Sequence, residues 1–452
     1  MKKCRILSFF LALLLAGALA VPALADYTPP ADPDIQAKSA LLVDLRTGAT
    51  LYAKNEHTTL YPASLTKIMT CLLTMEAVDE ERLSMDQRIT VSSIVRSLPP
   101  GSSTAGIKEG EILTVRDLLY CLMVSSANEA ADILAEAVAG NVPDFVQAMN
   151  QRAAALGCEN TQFMNPHGFH DPNHYTTAWD THLITLEAMK HAQFMTLCDT
   201  ALYVVPATNL SPERTLHTTN ALIDSWRIAG LKNPDVHGVK TGSTDSAGHC
   251  LVATGQHGEL RLLSVVMGAE HTRNESGTLV RRSFTETTRL LNWGFENFHY
   301  GTVLEEGTAV QEFPVSLSKT DHVIGAADRT LTAIVPNGLT AEAMERIVTP
   351  AAEELEAPVE TGQNLGHVVL RYDGVTYGEA DLLASTAAER SKWLAFKKAA
   401  MDLAKDRRAQ IAAAAVGGLA VLAVLWKLIF GRQRYRYGQA VSGRGGYRGN
   451  KR

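Results

Sequence analysis

The chain has 452 residues, of which 46% are hydrophobic and 20% charged, and this length predicts two or three domains rather than one. The formal net charge of −6 is unevenly distributed: once the basic residues near both chain ends are set aside, residues 26–426 carry about −17. Such an acidic chain argues against a nucleic-acid partner.

The first 25 residues predict a cleavable secretory signal. Three positive charges precede an apolar run that ends in Ala23-Leu24-Ala25, so the mature chain is expected to begin near Asp26. An uncleaved membrane anchor is the alternative, but Pro22 and the small residues favour cleavage. Cys4 lies before the apolar run, so we expect no lipoprotein anchor.

A linker rich in proline and aspartate, residues 26–36, precedes an α/β region that we assign to residues 37–299. Short strands are expected at "ALLVDL" and "ATLYA", and again at "VHGVK", "HCLVATG" and "LRLLSVVMG". Helical periodicity covers the segments 64–78, 115–139, 142–156, 177–191 and 278–297. Strands at both ends and helices between them predict a layered fold whose single sheet joins both ends of the region.

The pattern of apolar and polar residues changes in the C-terminal third of the chain. Residues 302–384 alternate apolar and polar side chains between Gly and Asp-Gly turns, which predicts a small all-β domain. Residues 385–408 predict an amphipathic helix, and residues 409–430 are apolar and long enough to form a transmembrane helix. Residues 431–452 contain seven Lys or Arg and no acidic residue, so they are expected in the cytoplasm. The region before the span would then lie outside, tethered to the cytoplasmic membrane.

The spacing Ser-x-x-Lys occurs twice. In "YPASLTKIMTCLLTM", Ser64 and Lys67 would share one face of an apolar helix. A buried ammonium either finds a partner or gives up its proton, so Lys67 is a candidate base for the Ser64 hydroxyl. In "VSLSK" the alternation predicts a strand instead, with Ser316 and Lys319 on opposite faces.

Two further motifs follow the first copy in a fixed order. Ser126-Ala127-Asn128 lies at a break between two helical runs, and Lys240-Thr241-Gly242 ends a short strand. The order Ser-x-x-Lys, Ser-x-Asn, Lys-Thr-Gly is the signature of penicillin-binding proteins and active-site serine β-lactamases. Ser126 would relay a proton to a leaving nitrogen, and Asn128 would bind a substrate carbonyl.

The third motif is expected to bind the substrate. Lys240 would attract a carboxylate and lower the pKa of Lys67, and Thr241 belongs to the same binding motif. Gly242 would allow a peptide to lie along the strand as an added edge. The backbone N–H groups of Ser64 and Ser243 would form the oxyanion hole.

From residue 36 to about 384 the chain resembles the D-alanyl-D-alanine carboxypeptidases, the low-molecular-mass penicillin-binding proteins. The resemblance is carried by "YPASLTKIMT", "DLLYCLMVSSANEAADILAEAVAG", "NTQFMNPHGFHDPNHYTTAWD", "HGVKTGSTDSAGHCLVA" and "APVETGQNLG". It implies a transpeptidase-like α/β domain with an all-helical region, then a small β domain and a membrane-attached C-terminus. It also implies that Ser64 attacks peptidoglycan stem peptides ending in D-Ala-D-Ala and that β-lactams acylate it.

The sequence departs from this family at two points. Members often attach by an amphipathic helix, whereas this chain offers a full span and a basic tail. The family also uses an arginine before "LLNWGF" to hold the terminal carboxylate of the substrate. Ser283 aligns with that arginine here, so the adjacent Arg282 is our candidate.

Other readings stay open. A β-lactamase shares the three motifs, but the "ExxLN" string of class A enzymes does not occur. An endopeptidase that cuts D-alanyl cross-links and a catalytically silent wall-binding protein are further alternatives. No cofactor or metal is expected: the five cysteines after the signal have neither disulfide nor zinc spacing. The histidines of "NPHGFHDPNH", at 167, 170 and 174, are expected to form loop hydrogen bonds.

Overall fold

The computed structural model describes residues 27–430, so the predicted signal peptide and the predicted cytoplasmic tail lie outside the described residues. The chain divides into two compact units. The first contains the described residues up to Val303 together with Leu331–Glu345 and Arg371–Gly378. The second contains Leu304–Thr330, Arg346–Leu370 and the described residues from Glu379 onward.

Nineteen strands occur within residues 27–430. They are β1 Ser39–Asp44, β2 Thr50–Lys54, β3 Arg88–Thr90, β4 Ile112–Thr114, β5 Leu202–Val205, β6 Arg214–His217, β7 Val236–Thr244, β8 Gly248–His257, β9 Leu260–Ala269, β10 Thr272–Arg273, β11 Leu279–Val280, β12 Phe298–Leu304, β13 Ala309–Ser316, β14 His322–Ala327, β15 Leu331–Pro336, β16 Glu345–Pro350, β17 Leu355–Glu356, β18 Asn364–Tyr372 and β19 Val375–Ala384.

Nine α-helices occur in the same residues, with short 3₁₀ turns at Ala63–Thr66, Ser93–Ser97 and Ala341–Ala343. The helices are α1 Lys67–Asp79, α2 Val115–Met123, α3 Asn128–Ala139, α4 Val142–Ala155, α5 Ala178–Ala188, α6 Phe194–Cys198, α7 Arg282–Asn297, α8 Lys392–Lys405 and α9 Arg407–Phe430.

The first unit is built on one antiparallel sheet with the strand order β2-β1-β9-β8-β7. The sheet joins the start of the unit to its end, as the sequence predicts. All six residues of β1 are buried, and alternate side chains enter different apolar clusters: Leu41 and Val43 on one side, Ala40 and Leu42 on the other. This follows from the two-residue period of a strand. Strand β7 forms one edge of the sheet.

The central helices pack on one face of this sheet. The predicted helical run 115–139 is two helices, because the chain leaves α2 after Met123 and begins α3 at Asn128. Thr114 starts α2 with a capping box, since its side chain accepts from the Asp117 N–H while the Asp117 carboxylate accepts from Thr114 N–H. Between the helices Ser126 adopts a left-handed φ of 63°. The break places Asn128 at the start of α3, where its side chain contacts Lys67 at the start of α1.

The second unit contains a six-stranded sheet with the order β16-β18-β19-β14-β13-β17. The strand predicted through "VSLSK" ends at Ser316, because Leu317 has a left-handed φ of 59°. The opposite-face geometry predicted for Ser316 and Lys319 is therefore wrong. Instead, the Ser316 hydroxyl donates to the Leu355 carbonyl oxygen at 3.2 Å, and Lys319 is exposed.

The described chain ends in two exposed helices. The amphipathic segment predicted over 385–408 becomes helical at Lys392, and the helix ends at Lys405, one residue before the break at Asp406. Helix α9 begins at Arg407 and contains the predicted apolar span. Within residues 27–430 it is the one helix that is long and apolar enough to cross a membrane.

Candidate active site

Ser64 and Lys67 meet at the start of the buried helix α1. Ser64 lies in the 3₁₀ turn Ala63–Thr66, and Lys67 is the first residue of the α-helix. Because a 3₁₀ helix has three residues per turn, side chains at i and i+3 lie directly above one another. The Lys67 Nζ accordingly donates to the Ser64 Oγ at 3.0 Å. The turn is a 3₁₀ helix and not the predicted α-helix, but it preserves the predicted contact between Ser64 and Lys67.

The Lys67 ammonium is fully buried and has three acceptors. It donates to the Ser64 Oγ, to the Asn128 Oδ1 at 2.8 Å and to the His167 carbonyl oxygen at 2.6 Å. Burial and the positive charge of Lys240 lower the pKa of Lys67 well below its ordinary 10.5. The carboxylates of Asp132 and Glu129 oppose this shift. A neutral amine at this position can accept a proton from the adjacent hydroxyl.

The helix break between α2 and α3 places the second motif against Lys67. Asn128 is the first residue of α3 and contacts Lys67 through its side-chain oxygen, while its N–H donates to the Ser103 carbonyl oxygen at 2.8 Å. Ser126 is only 5% exposed. The structure thus brings together the first two predicted motifs, from positions about 60 residues apart in the chain.

The third motif lies on the edge strand β7. Lys240 is 1% exposed, and its Nζ donates to the Thr241 carbonyl oxygen at 3.1 Å. Burial lowers the pKa of Lys240 to about 7. The Thr241 and Thr219 hydroxyl oxygens are 2.5 Å apart. A Cβ at Gly242 would lie 2.7 Å from the Pro62 carbonyl oxygen, so only glycine allows β7 to approach the turn that carries Ser64.

The remaining predicted residues lie beyond this core. The Ser243 Oγ lies 3.0 Å from the His249 Nδ1. The guanidinium of Arg282 contacts side chains outside the three motifs. Its Nη1 lies 3.3 Å from the Glu286 Oε1, and its Nε donates to the Thr272 Oγ1 at 3.2 Å. Ser283, which aligns with the family's arginine, is buried.

A loop at residues 165–174 supports the site in ways that the sequence did not reveal. The carbonyl oxygen of His167 accepts a hydrogen bond from the Lys67 Nζ, and Gly168 packs against the Ala63 backbone. Met164 N–H donates to the His174 Nδ1, so the His174 Nε2 carries the proton and donates to the Thr66 Oγ1 at 2.8 Å. The hydroxyl of Thr66 in turn donates to the Ala63 carbonyl oxygen. These bonds fix the turn that presents Ser64.

The three histidines of this loop have separate partners. The His170 ring packs edge-on against Tyr61. The backbone carbonyl of His167 accepts from Lys67, and the His174 ring donates to the Thr66 hydroxyl. Burial lowers the pKa of His167 to about 3 and that of His174 to about 4, so both rings are neutral at pH 7. Within residues 27–430, no group of three or more His, Cys, Asp or Glu could hold a metal ion.

Asp132 is a further buried group that sequence analysis missed. Its Oδ1 lies 3.8 Å from the His167 Nε2, and burial raises the pKa of Asp132 from 3.8 to about 7. It follows Asn128 by one helical turn, so the only sequence signal is an acidic residue on the face of α3 that carries Asn128. Asp132 therefore helps to set the charge around Lys67.

Comparisons with known proteins identify the family to which the chain is similar. The profile of the family described as D-alanyl-D-alanine carboxypeptidase matches residues 26–271, and that of the penicillin-binding protein 5 C-terminal domain matches residues 298–390. The chain is 30% identical over 366 residues to the D-alanyl-D-alanine carboxypeptidase DacF of Bacillus subtilis, covering 81% of this chain and 89% of the relative. It is 33% identical over 387 residues to DacA of Haemophilus influenzae, covering 84% and 91%.

Solved structures are similar over the same region. Penicillin-binding protein 5 of Haemophilus influenzae aligns with a TM-score of 0.60 and 30% identity, covering 80% of this chain and all of that one. Penicillin-binding protein 6B of Escherichia coli aligns with a TM-score of 0.59 and 28% identity, covering 78% and 97%. The predicted fold, a penicillin-binding α/β domain followed by an all-β domain, is confirmed.

Proposed function

This chain belongs to the D-alanyl-D-alanine carboxypeptidase family, and from that premise we propose that Ser64 is its nucleophile and Lys67 its general base. The protein is a serine-type carboxypeptidase of the low-molecular-mass penicillin-binding class. The observation that carries the residue assignment is the 3.0 Å contact between the Ser64 hydroxyl and the fully buried Lys67 amine.

In the acylation step, the neutral Lys67 amine takes the proton from the Ser64 Oγ as that oxygen attacks the carbonyl between two D-alanines. The resulting oxyanion accepts hydrogen bonds from the Ser64 and Ser243 N–H groups. Ser126 passes a proton to the nitrogen of the terminal D-alanine, which leaves as the C–N bond breaks. Water then hydrolyses the ester on Ser64 and restores the free hydroxyl.

The substrate lies along the free edge of β7. The Gly242 position allows close approach of the strand and the Ser64 turn, and an extended peptide can add to the strand edge. Asn128 binds a substrate carbonyl, and Lys240 and Thr241 face the terminal carboxylate. We propose peptidoglycan stem peptides ending in D-Ala-D-Ala as the substrate and β-lactams as covalent inhibitors. Arg282 as a carboxylate ligand stays a prediction, since its guanidinium contacts Glu286.

The catalytic part is proposed to lie on the outer face of the cytoplasmic membrane. Helix α9 is long and apolar enough to span the membrane, and the basic residues after it favour a cytoplasmic tail. The predicted domain limits at 37–299 and 302–384 remain proposals. The division of the chain into two compact units supports two domains, although the residues of each unit are not contiguous in the chain.

Replacement of Ser64 tests the assignment of the nucleophile. Ser64→Ala should abolish both release of D-alanine from a stem pentapeptide and covalent labelling by a fluorescent penicillin. The matched control is Ser316→Ala, which removes the serine of the second Ser-x-x-Lys copy and should leave both activities within about twofold.

Mass spectrometry of the penicillin-treated protein then identifies the acylated peptide. The expected adduct lies on the peptide that contains Ser64. Labelling that persists in Ser64→Ala, or an adduct on another peptide, contradicts the assignment. Acyl-enzyme turnover within milliseconds would instead favour a β-lactamase, and cleavage of purified cross-linked muropeptides would favour an endopeptidase.

A further inference from the structure

Residues 218–220 lie between β6 and β7 and contact both the second and the third motif; we call them the 218–220 bridge. The Thr219 N–H donates to the Val124 carbonyl oxygen at 3.2 Å, two residues before Ser126. The hydroxyl oxygens of Thr219 and Thr241 lie 2.5 Å apart, within hydrogen-bond distance. One residue outside the three motifs therefore contacts the backbone beside the second motif and a side chain of the third.

The backbone of the bridge is held by its two outer residues. Thr218 and Asn220 are 5% and 4% exposed. The Thr218 N–H donates to the Ala201 carbonyl oxygen at 2.9 Å, and the Asn220 Nδ2 donates to the Gly238 carbonyl oxygen at 2.8 Å. These bonds do not involve the Thr219 side chain, so a substitution of that side chain should leave the bridge in place.

The hydroxyl pair lies where a ligand can reach it. Thr219 and Thr241 are both half-buried, whereas the residues on either side of Thr219 are buried. Thr241 is part of the edge strand β7, along which the substrate is proposed to lie. A ligand at this edge can therefore contact the Thr241 hydroxyl while the Thr219 hydroxyl remains bonded to it.

The direction of the bond between the two hydroxyls decides what Thr241 can bind. A hydroxyl group carries one proton and donates one hydrogen bond. If Thr241 donates to Thr219, the Thr241 oxygen offers only lone pairs to a ligand and repels an anion. If Thr219 donates to Thr241, the Thr241 proton is free for the ligand, and the accepted bond polarises the Thr241 hydroxyl and strengthens the bond that it donates. An anionic ligand therefore requires Thr219 to be the donor.

We propose that Thr219 is a positioning residue of the site: its hydroxyl donates to the Thr241 Oγ1 and leaves the Thr241 proton for the terminal carboxylate of the substrate. The inference rests on the proposed function, in which Thr241 faces that carboxylate, and it adds a residue that acts only through Thr241. The bond from the Thr219 N–H to Val124 also ties this hydroxyl to the backbone that leads to Ser126. The bridge thus holds the donor of the third motif in a fixed position relative to the second motif.

Two substrates that differ in one group separate carboxylate binding from the chemical step. Both are thioesters of the same N-acyl-D-alanine, and the leaving thiol is thioglycolate in one and propanethiol in the other, so only the first ends in a carboxylate. In Thr219→Val, kcat/KM for the thioglycolate substrate should fall about 3- to 10-fold, mostly through KM, because the Thr241 donor is no longer oriented. The propyl substrate should change by less than about twofold.

Three further variants control for the loss of the side chain itself. Thr219→Ser retains a hydroxyl at the same position and should keep both activities within about twofold. Thr219→Ala removes the hydroxyl with no branched side chain in its place and should behave as Thr219→Val, so it carries the test if the valine variant does not fold. The matched control is Thr215→Val, which removes the hydroxyl of an exposed threonine on β6 and should leave both substrates within about twofold. Melting temperatures and penicillin labelling establish that each variant is folded.

A double-mutant cycle tests whether Thr219 acts through Thr241. Thr241→Val should by itself lower kcat/KM for the thioglycolate substrate and not for the propyl substrate. If Thr219 acts only by orienting the Thr241 hydroxyl, the addition of Thr219→Val to this variant should cause no further loss. Losses that add in full would show that Thr219 acts independently of Thr241 and would contradict the proposal.

Two other results would overturn the role of Thr219: unchanged turnover of the thioglycolate substrate in Thr219→Val and Thr219→Ala, or equal losses on both substrates. If the unaltered enzyme forms no acyl adduct on Ser64 with either thioester, the proposed function fails, and this inference fails with it. If the enzyme is active and prefers the thioglycolate substrate to the same degree with and without the Thr219 hydroxyl, only the role of Thr219 fails.

Discussion

At the scale of single residues, the surroundings of the buried Lys67 side chain support its proposed role as a base. Lys67 loses the hydration that stabilises an ammonium, and Lys240 adds a second positive charge, so both effects favour the neutral amine. Asp132 and Glu129 act in the opposite direction. Burial outweighs these carboxylates, since the pKa of Lys67 is lowered overall, and this shift favours the neutral amine that the proposed base requires.

Removing the charge of Lys240 should shift the pH dependence of acylation. In Lys240→Gln the pKa of Lys67 rises because the neighbouring cation is gone, so a higher pH is needed to produce the neutral amine. The acid limb of the penicillin acylation rate should therefore move to higher pH. Stopped-flow measurement of acylation from pH 5 to 9 records the limb.

Lys240→Arg is the matched control, because it retains the positive charge and should leave the acid limb near its original position. An acid limb in Lys240→Gln that coincides with that of the unaltered enzyme would show that the charge of Lys240 does not act on the base.

At the scale of elements, the site depends on contact between the Ser64 turn and the loop 165–174. Thr70 Oγ1 donates to the Pro166 carbonyl oxygen, and Asn165 accepts from the Gly168 N–H and donates to the Phe169 carbonyl oxygen. Gly168 has a left-handed φ of 82°, and a Cβ there would lie 1.8 Å from the Ala63 carbonyl oxygen. No side chain fits at that distance, so the loop can approach the turn only through glycine.

Gly168→Ala should therefore destabilise the protein and misplace Ser64. Left-handed backbone costs a non-glycine residue about 1–2 kcal/mol, and the steric overlap with Ala63 adds to this. We expect a loss of at least about 3 kcal/mol in the free energy of unfolding. The rate of penicillin acylation should fall with it, and both are measurable by denaturant unfolding and by labelling.

Gly48→Ala separates the two contributions, because Gly48 has a similar φ of 75° and no atom within 4 Å of the added Cβ. It should lose only about 1–2 kcal/mol and retain normal acylation. Equal losses for the two variants would mean that the contact with Ala63 contributes nothing beyond backbone strain.

At the scale of the whole molecule, the arrangement of charge and hydrophobicity predicts a tether. The segment up to the span is acidic, α9 is apolar and exposed, and the residues after it are basic. An apolar helix of 24 residues is long enough to cross a bilayer. The proposed catalytic residues all precede residue 304, and the hydrogen bonds that join them involve no residue of the tether.

Deletion of residues 407–452 should release the protein from the membrane fraction without changing the penicillin acylation rate by more than about twofold. The full chain should remain in the membrane pellet after a high-salt wash, since salt weakens charge interactions but not burial of apolar surface. Fractionation followed by labelling measures both properties.

A variant that lacks only residues 431–452 serves as the control and should stay in the pellet. Release of the full chain by salt, or of this shorter deletion in low salt, would indicate that the basic tail rather than α9 holds the protein at the membrane.

The sequence alone determined the features that depend on neighbouring residues. The three motifs, the helix break at Ser126, the strands of the sheet and the apolar span follow from local spacing and periodicity, and the fold predicted from them is correct. Helix ends were less accurate: α7 begins at Arg282 rather than 278, and the amphipathic helix begins at Lys392 rather than 385. The Ser64 turn is 3₁₀ rather than α-helical, a distinction that periodicity does not resolve.

Only the tertiary structure decided which distant groups complete the site. The acceptor for Lys67 at residue 167 is a backbone carbonyl. Every residue possesses one, so no side-chain pattern predicts this contact. The role of Asp132 depends on its burial beside His167, and this contact arises from packing between segments that are far apart in the chain. Sequence spacing records which residues share a turn or a strand face; long-range register and burial are set when the whole domain packs.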